Sequence, residues 1–273
     1  MALNSRIWKS AKGALAVAAL ALSYNASAET VSAGGIEWDT FLQNGNEAMS
    51  AGIEFQQWFT STPTSGEYLG LGSVNNTVQP TVAANVGAEL VGVGLFNGFS
   101  LGRNLFDPDF CAAGTSSDCE LTFAFGGLIA TSFTSFDFSN AWLNVYFDDT
   151  PDFFRGVSGI NASSRYVEAQ NGQLWASFKW EDVFFLAGGN LNGGVISASL
   201  SVEDSALPGV VDALDYGQGQ PDFDLLSQAL FFPGNVRSTG GSGAIQSVSA
   251  PSTVAFFGLT LIGLGLASRK KFR

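Results

Sequence analysis

The sequence predicts an all-β protein, an antiparallel β-sandwich or jelly-roll-like body, flanked by an N-terminal signal helix and a short C-terminal transmembrane helix. Three observations carry this expectation. In 273 residues there are 33 glycines and 24 phenylalanines against 2 methionines, a usage that favours strands and turns over helical bundles. Between Val195 and Val202, Ile196, Ala198, Leu200 and Val202 alternate with Ser197, Ser199 and Ser201, giving one buried and one wet face. Short apolar runs are separated by Gly126-Gly127, Asn171-Gly172, Gly188-Gly189-Asn190 and Asn192-Gly193-Gly194, which read as turns.

The first element is an export signal. Arg6, Lys9 and Lys12 precede an apolar run from Gly13 to Leu22, and a short polar stretch ends in Ala26-Ser27-Ala28. A basic region, a short apolar core and small residues for the peptidase pocket make a secretory signal over residues 1–28. Cleavage is expected after Ala28, with Glu29 as the first mature residue. The apolar run falls well short of the ~20 residues that a permanent span requires.

The body is expected over residues 29–237. Strands are read at Val91–Phe99, Leu121–Phe125, Thr131–Phe138, Trp142–Phe147, Leu174–Trp180 and Val195–Val202. Along Leu174–Trp180 the apolar side carries Leu174, Ala176, Phe178 and Trp180, which leaves Trp175 on the other side. Trp175 is therefore the expected exposed aromatic and the candidate ligand contact. Trp38, Trp58, Trp142, Trp180, Tyr68 and Tyr146 would join it if the protein had a sugar-stacking platform; in a sandwich most such rings fill the core. The segment from Pro221 to Phe232 fits a short helix as well as a strand. A Gly/Ser-rich stretch over 238–250 reads as a linker.

Charge divides the chain into three regions. The net charge is −12, yet residues 1–28 and 269–273 carry bases and no acid. All 24 acids lie between, with Arg103, Arg155, Arg165, Lys179 and Arg237 the only bases among them. So anionic a body repels phosphate backbones and excludes nucleic acid as a partner. The chain contains no histidine. Serine–histidine and cysteine–histidine dyads, and the commonest zinc and iron sites, are thereby excluded.

Two cysteines, Cys111 and Cys119, flank a small polar loop. In an oxidising compartment such a pair is expected to form a disulfide. Acids gather at Asp107 and Asp109, at Asp148, Asp149 and Asp152, at Asp212 and Asp215, and at Asp222 and Asp224. Asp148, Asp149 and Asp152 are the candidate calcium ligands, since carboxylates are hard oxygen donors. None of the groups matches the spaced D-x-[DN]-x-[DN]-G loop, so solvated acidic loops are the expected reading and no cofactor is required. Facing carboxylates could also hydrolyse glycosides, but 24 acids satisfy that spacing by chance.

The last element, residues 251–273, mirrors the first. Pro251-Ser252-Thr253 precede an apolar stretch at about 254–267 and the basic end Arg269, Lys270, Lys271 and Arg273. Fourteen helical residues reach about 21 Å, less than the ~30 Å of a hydrocarbon core. The terminal cations favour the cytoplasmic side, with the body outside. This tail resembles the PEP-CTERM sorting signal of Gram-negative bacteria. Val248, Pro251, Ser252 and Thr253 match the Val-Pro-Glu-Pro-Ser-Thr form, while Ser249 and Ala250 stand where its first proline and glutamate would be. The resemblance implies removal of the tail by an exosortase, after signal peptidase has cut the other end. It implies a transient inner-membrane intermediate, a secreted or cell-surface destination, and exopolysaccharide or biofilm surroundings. The expected function is that of a non-catalytic surface or matrix protein. A calcium-assisted carbohydrate-binding module and a carboxylate-dependent glycosidase are the alternatives.

Overall fold

The computed structural model describes residues 29–43, 46–59, 86–100, 106–112, 118–153, 162–191, 193–216, 219–230 and 239–247. The signal segment, the sorting tail, Tyr68 and the side chain of Trp58 lie outside the described residues. Among the described residues, no helix is long and apolar enough to cross a membrane.

Among the described residues there are fourteen strands and two short helices. The strands are β1 (Thr30–Ala33), β2 (Ile36–Asp39), β3 (Phe41–Gln43), β4 (Asn46–Ala48), β5 (Ser50–Phe59), β6 (Glu89–Ser100) and β7 (Phe106–Asp107). They continue as β8 (Glu120–Ser132), β9 (Ser135–Asp137), β10 (Trp142–Asp148), β11 (Gln173–Asn190), β12 (Gly193–Asp204), β13 (Phe223–Leu230) and β14 (Thr239–Ser247). Helix α1 (Ala162–Glu168) lies between β10 and β11, and α2 (Val210–Leu214) between β12 and β13.

The all-β, antiparallel expectation holds, but the body is a closed barrel and not a sandwich. Eight strands run round the ring in the order β5, β6, β8, β10, β11, β12, β13, β14, and β14 pairs with β5 to complete it. Alternating strands suit a sandwich and a barrel equally. The choice is made by two further pairings, β6 with β8 and β14 with β5, which leave none of the eight strands with an open edge.

β14 corrects a second expectation. Thr239–Ser247 is no linker: it lies between β13 and β5, with Ile245 buried and opposite Ala51 and Leu225. Its glycines have a packing role. A Cβ on Gly241 would stand 2.2 Å from Cζ of Phe55, the residue paired with it across the strands. Gly92 and Gly94 on β6 do the same for Phe125 and Phe123, their partners on β8. Missing side chains on one strand thus make room for phenyl rings on the next.

The remaining strands differ from expectation in their limits. β8 runs through Gly126-Gly127 with a bulge, where Gly127 has φ 77° and a Cβ would meet the Asn140 carbonyl at 2.2 Å. The expected strand Thr131–Phe138 folds back on itself as the end of β8 and β9. Its turn is held by the Thr134 N–H donating to Ser132 Oγ at 3.2 Å. Within the Pro221–Phe232 segment, Phe223–Leu230 is strand β13 and no helix; Phe223 and Leu225 are buried while Asp224 and Leu226 are exposed, a period of two.

The core fills the barrel and continues past one end. There the hairpin β1–β2 lays Ile36 and Trp38 over the interior, and Trp38 stacks on Phe99 at 5.9 Å between ring centres. The expected disulfide is present, with Cys111 and Cys119 Cα atoms 6.0 Å apart. It joins the cap to the barrel: Cys111 bridges to Ile36, Ala112 N–H donates to the Gly35 carbonyl, and Cys119 directly precedes β8. A smaller apolar cluster lies on the outer wall, where Phe153 and Ala169 cover Val91, Val93, Leu95 and Ala124. Arg165 of α1 completes it, with its guanidinium 5.0 Å from the centre of the Phe153 ring.

Candidate functional site

Among the described residues, two places combine geometry with chemistry: an acidic cluster outside the barrel and a cavity within it. The cluster forms where β8 begins beside the end of β10. Glu120 and Asp148 are a cross-strand pair, and the turn after β10 carries Asp152 back to them. One carboxylate oxygen from each of Glu120, Asp148 and Asp152 lies within 4.8 Å of the others. Sequence reading identified Asp148 and Asp152 but missed Glu120, because strand register brings together residues 28 positions apart. Asp149 does not join the group; its Oδ1 accepts from Thr150 Oγ1 at 3.2 Å.

Local hydrogen bonds shape this turn. Thr150 N–H donates to Asp148 Oδ1 at 2.8 Å, an Asx turn. Glu120 accepts from the backbone N–H groups of Asp152 and Phe153 at 3.2 and 3.1 Å. Asn171 Nδ2 donates to both Asp152 oxygens at 3.0 Å. Burial pushes the Glu120 carboxyl above its ordinary pKa; the two N–H donors oppose that, and the negative charges of Asp152 and Asp148 add to it. Three oxygen donors at this spacing suit a hard cation such as calcium. Two other acids have separate duties: Asp222 is buried and accepts from Val202 N–H at 2.8 Å, and Asp224 accepts from Ser199 Oγ at 3.1 Å.

Trp175 is not an exposed ligand contact. It is 2% exposed, and its indole N–H donates to the Ala33 carbonyl at 3.1 Å beneath the cap. Alternation fails there because of a bulge. Val145 pairs with Ala176 and Tyr146 with Leu174, so Trp175 has no partner opposite and turns inward beside Ala176. Trp38 and Trp180 are buried as well, so these three tryptophans form no surface platform. The large apolar side chains that are exposed among the described residues are Val86, Phe133, Val167, Phe184 and Leu226. Phe184 and Leu226 flank Ser197 in register on the outer wall.

Inside the barrel, Phe55, Phe123, Phe125 and Leu225 line a cavity of about 40 Å³. Gln57, Ser227 and Trp180 line it too. Gln57 belongs to the inward face of β5 with Ile53 and Phe55 and is 4% exposed. Trp180 is 5% exposed, and its buried indole N–H has no hydrogen-bond partner among the described residues.

The chain was compared with protein-family models, curated proteins and solved structures, and none of them matches.

Proposed function

We infer that this chain is an exported, non-catalytic surface or matrix protein, whose barrel works beyond the inner membrane amid exopolysaccharide. The Cys111–Cys119 disulfide carries this reading, since a structural disulfide is characteristic of an oxidising compartment. The strand limits are compatible with trimming at both ends. A cut after Ala28 leaves β1, which starts at Thr30, whole; a cut near Pro251 leaves β14, which ends at Ser247, whole. Signal peptidase and an exosortase are the proposed processing partners, with the tail as a passing membrane contact.

Intact mass of the protein recovered from culture medium and from membranes tests this. A species from Glu29 to near Pro251 supports both cuts. A mature species that keeps Arg269–Arg273 overturns tail removal, and untrimmed chain in the cytosol with free thiols overturns export.

A second reading, binding of extracellular polysaccharide, is favoured by Phe184 and Leu226, exposed on either side of Ser197. Calcium at Glu120, Asp148 and Asp152 would be its cation. Retention on a polysaccharide array, lost in Phe184→Ala, is the result expected of it; released sugar would instead mark a hydrolase.

A further inference from the structure

The inward face of β5 carries Ile53, Phe55, Gln57 and Phe59, one amide among apolar side chains. Gly92, paired with Gln57 on β6, has no side chain to answer that amide. Among the described residues the Gln57 amide makes no hydrogen bond. β5 and β11 stand four strands apart round the ring of eight, so Gln57 and Trp180 face the cavity from opposite walls. The Trp180 indole N–H is equally without an acceptor among the described residues. Ser227 adds a hydroxyl to the lining, and no charged side chain joins it.

Buried polar groups in folded proteins are satisfied by other protein groups or by ordered water. A glutamine side chain offers two N–H donors and a carbonyl that accepts twice, all of which an apolar wall leaves unmet. Such an amide at a core position weakens the fold unless something bonds to it. The void beside Gln57 measures about 40 Å³, above the ~10–15 Å³ that a single water needs. It is too small for a ring or for a chain of several carbons. A wholly apolar void would stay dry, whereas an amide and a hydroxyl together supply the polar partners that keep a water in place.

We propose that the barrel interior is a binding site for ordered water, held by the Gln57 amide and the Ser227 hydroxyl as a fixed part of the folded protein. Gln57 is then a water-binding residue and not a flaw in an apolar core. The site does not depend on how the ends of the polypeptide are processed.

Oxygen-17 relaxation dispersion, which counts waters held inside a protein for longer than its tumbling time, tests this on the protein as purified from its own cells. Gln57→Leu keeps most of the side chain's bulk and removes the amide. The parent is expected to hold at least one more long-lived water than Gln57→Leu. A high-resolution crystal structure of the parent is expected to show that water within hydrogen-bond distance of the Gln57 amide. Equal counts in the two proteins overturn the proposal, as does a dry void in the crystal structure. Should Gln57→Leu fail to fold, the crystal structure of the parent decides alone.

Discussion

The Phe55 ring occupies the space in which any residue but glycine at position 241 would place its Cβ, 2.2 Å from Cζ. The contact is between paired residues of β5 and β14, the two strands whose union closes the barrel. Gly241→Ala is expected to destabilise the protein by about 1–3 kcal/mol, as overpacked cores do. Phe55→Leu in the same chain should recover part of that loss. Urea unfolding of the two single variants and the double variant measures the coupling, and strictly additive losses would dissociate the ring from the glycine.

Cys111→Ser with Cys119→Ser is expected to cost about 2–3 kcal/mol, because the bridge closes a short loop in the unfolded chain. Since the bridge ties the β1–β2 cap to the barrel, amide exchange should accelerate first at Ile36 and Trp38. Denaturation and hydrogen exchange, each with and without reductant, report both effects.

Trp175→Phe keeps most of the buried ring and removes the hydrogen bond to the Ala33 carbonyl. A loss of about 1–3 kcal/mol is expected, since the carbonyl is left without its donor. Polysaccharide retention, if the protein shows any, should be unchanged. A selective loss of retention with normal stability would restore Trp175 as a ligand contact.

Glu120 predicts a particular dependence on pH. Its carboxyl titrates above the ordinary range in the folded chain, so keeping it ionised works against folding. That penalty is absent below the ordinary carboxylate range, where folded and unfolded chains both hold the proton. It grows as pH rises and is complete above the folded pKa. Glu120→Gln should therefore gain stability relative to the parent between about pH 4 and pH 7. Urea midpoints at the two pH values decide the matter; a gap that narrows with rising pH contradicts it. Bound calcium would reverse the trend by favouring the ionised cluster, so the measurement is made in chelator.

Much of the fold was legible residue by residue. The serine alternation in β12 and the apolar runs of β6, β8, β10 and β11 reflect strand periodicity, which depends only on neighbours along the chain. The cysteine pair was legible because eight residues separate its members. The acidic site was half legible: Asp148 and Asp152 share a turn, whereas Glu120 arrives through the pairing of β8 with β10. β14 was missed because its glycines look like a linker until Phe55 is seen to fill their place.

Sequence alone determined that strands would form, that they would be antiparallel and turn-rich, where the charges would gather, and that histidine chemistry was out of reach. These follow from residue identity and short spacing. Only the tertiary structure decided between barrel and sandwich, turned Trp175 inward, brought Glu120 to its partners and placed Gln57 opposite Trp180. Each of those depends on register between distant strands, where a single bulge redirects a side chain, and register is settled by the packing of the whole ring.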